Sequence, residues 1–127
     1  MKKAIAIITA CLLLAATAGC VRNSIRKSAT EVIAICDQFL DDQIDCGDAY
    51  KQVSRIVEKL DEKYDYEKLN DEEQTISISL SSLTLSLATA NYNLHNYNGD
   101  RDISDQITSI LRTRNYLAED VGIKTRE

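Results

Sequence analysis

The chain contains no proline, and its four glycines stand far apart at positions 19, 47, 99 and 122. Proline removes a backbone donor and glycine adds backbone freedom, so these two residues are the usual interrupters of helices. Only short polar punctuation is left to end an element, which favours helices joined by tight turns. At 127 residues the chain holds one domain's worth. The expected fold is all-α, a bundle of about four helices with short connections, without internal repeats or low-complexity linkers.

Apolar spacing places the helices at about 25–41, 47–66, 70–97 and 102–121. The first carries Ile25, Ala29, Val32, Ile33, Cys36, Phe39 and Leu40 on one side, and a Ser28–Glu31 capping box allows it to begin nearer Ser28. The second carries Ala49, Val53, Ile56, Val57, Leu60 and Tyr64, with a charged outer face that reads as solvated. The fourth carries Ile103, Ile107, Ile110, Leu111, Leu117, Ala118 and Val121. Asp102 is its expected N-cap and Gly122 its stop.

The third segment is ambiguous at first sight, because "TISISLSSLTLSL" alternates as a strand does. A hairpin would have to turn at Ser81-Ser82, and neither residue favours the positive φ that two-residue turns need. As a helix, Asn70 and Glu73 form a cap, and Asp71, Glu72 and Glu73 suit the positive end of the dipole. At 100° per residue, Ile76, Leu80, Leu83, Leu87, Ala90 and Leu94 share one side. Ile78, Leu85 and Tyr92 share the opposite side. The alternation is two helical stripes seen together. The second stripe has two readings: a core packed from both sides, or an outward face waiting for another chain.

The first 19 residues are a separate matter. Lys2 and Lys3 precede an uncharged apolar run from Ala4 to Gly19, the pattern of an export signal that is removed. Thr17-Ala18-Gly19-Cys20 resembles the lipobox of bacterial lipoprotein precursors. The resemblance implies that Cys20 becomes the N-terminus, carries diacylglycerol and an amide-linked acyl chain, and anchors the protein without any other cofactor. Val21 rather than Asp after the Cys implies the outer membrane. Ala16-Thr17-Ala18 also fits an ordinary signal-peptidase site, which would leave a soluble periplasmic or secreted protein. A lipobox-like cut at Cys11 would leave an apolar stub. Under the first reading residues 20–27 are a short tether and 28–127 the helical domain. Eight tether residues reach no more than about 28 Å, which keeps the domain close to the membrane.

Cysteine parity agrees with lipidation, because the exported chain holds Cys20, Cys36 and Cys46, an odd number in an oxidising compartment. With Cys20 modified, Cys36 and Cys46 remain. With nine residues between them on one helix they would be too distant to bridge, so the segment between them must turn. A disulfide there is the expected arrangement, with free thiols or a metal role as the alternatives.

Without Lys2 and Lys3, 13 of the 15 basic side chains remain against 20 acidic ones, a net charge of about −7. That disfavours nucleic acid and anionic lipid as partners of the domain. Neither "DDQIDCGD" nor "NYNGDRDISD" has the order that brings carboxylates to one calcium, and no metal site is expected. His95 near the end of the third helix reads as a local dipole interaction. No nucleophile elbow, zinc-helix or phosphate-loop motif is present, so catalysis is not expected. The expected function is lipid-anchored, non-catalytic binding of another envelope protein, as an assembly or secretion accessory, with homo-oligomerisation open. Ile78, Leu85 and Tyr92 are the candidate contacts. The rival is an immunity or inhibitor lipoprotein whose acidic face, Asp37, Asp41, Asp42, Asp45 and Asp48, captures a basic toxin or enzyme.

Overall fold

The computed structural model describes residues 21–96 and 102–127, so Cys20 and the signal segment lie outside the described residues. The described residues form four α-helices: α1 (Asn23–Leu40), α2 (Cys46–Lys63), α3 (Asp71–Asn96) and α4 (Ser104–Val121). A single 3₁₀ turn, Tyr66–Lys68, lies between α2 and α3. Among the described residues there is no strand, and no helix is long and apolar enough to cross a membrane. Each helix packs on its sequence neighbours and α4 closes on α1, leaving α1 and α3 diagonal. This is the up-down-up-down bundle that short connections impose.

α3 is helical throughout. Asn70 Oδ1 accepts from the Glu73 N–H at 2.9 Å while Glu73 Oε1 accepts from the Asn70 N–H at 3.2 Å, a complete reciprocal cap. Its inner stripe is the centre of the core: Ile76, Leu83, Leu87 and Ala90 are wholly buried and Leu80 nearly so. Hydroxyl-rich sequence is tolerated because Thr75, Thr84 and Thr89 donate to the carbonyls of Asp71, Leu80 and Leu85, one turn back.

α1 begins earlier than its capping box suggests. The Ser28–Glu31 start is not used; the N-cap position is Arg22, without a side-chain cap bond. Tertiary burial decides the boundary here, since Val21 and Ile25 are in the core and carry the helix back to Asn23. Residues 23–27, expected in the tether, are therefore part of the bundle. The Arg22 N–H donates to Glu73 Oε2 at 3.0 Å, and its guanidinium lies 3.4 Å from Glu73 Oε1. One buried carboxylate thus serves the starts of both α1 and α3.

The α1–α2 turn corrects a second expectation. Cys36 and Cys46 are both buried free thiols, not a disulfide. The Cys46 thiol turns toward α3 and donates to the Leu87 carbonyl at 3.6 Å. Burial, helped by the Asp37 charge, pushes the Cys36 thiol up to about 12, and burial with Asp45 pushes Cys46 up to about 11. Both sulfurs act as small apolar core groups. The turn is held instead by backbone bonds, Asp42 N–H to Phe39 and Gln43 N–H to Gln38, with Asp42 at φ 58°.

The remaining ends follow local chemistry. Asp45 caps α2 by accepting from the Asp48 N–H at 2.7 Å. α2 stops at Lys63, short of 66, because Tyr64 leaves the helix in extended conformation. Asp102 accepts from the Ser104 N–H at 2.8 Å and from the Ser104 hydroxyl, although the N-cap position itself is Ile103. Gly122, at φ 76°, ends α4; its N–H and that of Ile123 bond the carbonyls of Glu119 and Ala118.

Candidate functional site

The second stripe of α3 lies on the surface. Ile78 is 56% exposed, Leu85 68% and Tyr92 58%. The three are seven residues apart, so they form one line along the outer side of the helix. No charged side chain occurs from Gln74 to Leu94. The line therefore runs through hydroxyls and alanine rather than through the charges that normally cover a solvent face. Leu85 stands between two shallow grooves. One is lined by Tyr66, Ser77, Ile78, Ser81 and Ser82, the other by Tyr50, Val57, Glu58 and Asp61 of α2 with Thr84 and Ala88. Both neighbours of α3 lie on its inner side, and this is why contact with two helices does not bury the second stripe.

The acidic group of the α1–α2 region is arranged differently. Arg114 is 5% exposed and makes a two-pronged contact with Asp37, Nε to Oδ1 at 2.8 Å and Nη2 to Oδ2 at 2.9 Å. Arg126 reaches Asp37 at 3.1 Å and Asp41 at 2.6 Å. Its guanidinium holds the Asp41 carboxyl below the usual carboxylate range. Asp45 is occupied as the α2 cap. Three of the five proposed acidic contacts are thus engaged within the fold, and the local negative field is partly neutralised. Asp42 and Asp48 are exposed.

This arginine network was not anticipated from the sequence, although a signal exists. Arg114 occupies the same helical line as Ile110, Leu117 and Val121, so a permanent charge sits at a core position. The segment after α4 is fixed by the same group. Arg114 donates to the Lys124 carbonyl at 2.8 Å, and Asn115 exchanges two bonds with the backbone of Arg126.

Among the described residues no three His, Cys, Asp or Glu side chains are placed to hold a metal ion. His95 Nδ1 is 2.9 Å from the Asn91 carbonyl, one turn back. A cavity of about 30 Å³ beside Tyr64, lined by Ile25, Leu60, Leu69 and Leu80 with Glu73, has room for a water rather than a ligand. The expected contacts Ile78, Leu85 and Tyr92 come together on one face; Cys36 and Cys46 belong to the core. Comparison with protein-family models, curated proteins and solved structures returns no match, so the chain's own geometry carries the functional reading.

Proposed function

We propose that the protein is a lipid-anchored component of the bacterial envelope that works without catalysis, by docking a protein on the outer face of α3. The observation that carries this is the line Ile78–Leu85–Tyr92, three large apolar side chains more than half exposed on a stretch of helix without charges. Scattered exposed apolar residues need no explanation, but a continuous line along one helix fits helix-in-groove recognition. Anchoring through Cys20, in the inner leaflet of the outer membrane, rests on the lipobox resemblance. With α1 starting at Asn23, only Val21 and Arg22 separate that position from the first helix. An accessory role in envelope assembly or secretion suits a small helical domain held this near the bilayer.

The test is affinity capture from cross-linked envelopes, wild type beside Leu85→Glu, with helicity and Tm recorded for both. Leu85 makes little use of the core, so the variant stays folded and a specific partner is lost. An unchanged captured set rejects the α3 face as the working surface. Docking through apolar contacts also tolerates salt, whereas capture through acidic groups weakens steeply as salt rises. Replacing Cys20 by Ser moves the protein from the membrane to the soluble fraction if that residue carries the lipid.

A further inference from the structure

We infer that the occupant of this face is a second copy of the chain, its α3 packed antiparallel on the first. The inference rests on reading the face as a docking surface and names its partner. The exposed positions of α3 follow a seven-residue repeat with two members. Large apolar residues stand at Ile78, Leu85 and Tyr92, and a small hydroxyl residue precedes each by three, at Thr75, Ser82 and Thr89. All six are exposed. This is the two-position seam of a helix pair, with one position large and the other small.

Let a second α3 run in the opposite direction with Leu85 resting on Ser82 of the copy. Ile78 then comes level with Thr89, and Tyr92 with Thr75. Each large side chain faces a small one, and each pairing recurs in reverse, as a two-fold contact requires. The same register brings the exposed Asp71 and Glu72 level with the exposed Asn96 and His95 of the copy. The acidic start of one helix thus meets the amide and imidazole at the end of the other, and the two helix dipoles oppose. A parallel pair does the reverse. It sets large on large at Leu85, and it sets Asp71, seven residues before Ile78, against its own counterpart.

Desolvation costs little at the threonine positions of the seam. No charge lies between Gln74 and Leu94. Thr75 and Thr89 already donate their hydroxyl hydrogens to the carbonyls of Asp71 and Leu85, at 3.0 and 2.9 Å, so their methyl groups can be covered without stranding a donor. Close approach of two backbones needs small residues at the seam, and the hydroxyl positions supply them.

The experiment uses two differently tagged full-length copies produced together in cells, one Ile78→Cys and the other Thr89→Cys, with mild oxidation of intact envelopes. The expected result is a disulfide-linked dimer containing both tags, and little cross-linked product from either variant alone. Wild type provides the background, since Cys36 and Cys46 are buried. Dimers of Ile78→Cys with itself in place of the mixed product overturn the antiparallel register. Absence of any copy-to-copy product overturns the second copy as occupant. Cross-linking to a different protein alone also overturns it, yet keeps the face as a docking surface. The docking reading fails separately, by an unchanged captured set with Leu85→Glu. Sedimentation of the purified full chain gives the independent readout: twice the chain mass for wild type, and the monomer mass for Leu85→Glu at unchanged helicity.

Discussion

Leu83 and Leu85 are two residues apart on one helix, chemically identical, and differ in exposure from 0% to 68%. Leu83 is surrounded by side chains of this chain, whereas Leu85 meets mostly water. The contrast runs the length of α3, with Ile76 inside and Ile78 outside, Leu87 inside and Leu85 outside. The inner stripe finds its contacts within one folded chain and holds the bundle together. The outer stripe contributes little to that and has a composition unsuited to water. A helix that carries large apolar residues on two sides but covers only one has one side made for folding and one for something else.

Mutation separates the two most sharply at those leucines. Leu83→Ala removes fully buried volume and is expected to cost about 2–5 kcal/mol in denaturant unfolding, while Leu85→Ala, read at a dilution where the chain is monomeric, stays within about 0.5 kcal/mol. Equal losses at both positions would erase the contrast. The polar interior gives the next largest effect. Asp37→Ala leaves the Arg114 guanidinium buried beside Lys124 and Asn115 without its carboxylate, with an expected cost of about 3 kcal/mol. A charge removed from the outer side of α2, as in Glu58→Ala, should change the same unfolding midpoint by less than about 0.5 kcal/mol.

Two further modest effects lie away from both faces and set the scale. Asp42 holds a left-handed conformation that glycine adopts without cost, so Asp42→Gly should raise stability by roughly 0.5–1 kcal/mol, read from the midpoint shift. The pH dependence through Asp41 is smaller still, because that carboxylate is exposed. Its folded-state pKa lies below the ordinary value, so the Arg126 contact is fully present above about pH 4 and fades as pH falls through the folded value. Asp41→Asn should lower Tm slightly at neutral pH, and the difference should shrink as pH falls through the folded value. A difference that does not shrink with acid would mean the contact does not depend on charge.

Much of this architecture is legible in residue spacing, because periodicity reports which side of a helix is apolar. The caps at Asn70 and Glu73 and at Gly122 are local patterns and can be read in the same way. Two misjudged features depend on tertiary contact. The start of α1 is set by burial of Val21 and Ile25 against the bundle, which outweighs the Ser28 signal. Cys36 and Cys46 have a spacing compatible with a bridge, but the α2 register directs Cys46 toward Leu87, and spacing alone does not report direction. Whether the second stripe of α3 is covered was open for the same kind of reason. Two stripes on opposite sides of a helix are consistent with neighbours on both, and only the square arrangement shows both neighbours on one side. Of the site, the three apolar residues could be named in advance; the Asp37–Arg114–Arg126 network could not, because its partners come from α1 and the chain's end.

Glu73 binds the Arg22 N–H and guanidinium while completing the cap of α3. Arg22, at the start of α1, and the first turn of α3 are consequently one mechanical unit, joined across 51 positions of sequence. A pull on the chain just before Val21 does not stretch a slack leash. It loads α1 and that carboxylate together, and the helix bearing the exposed line shares the force from the outset.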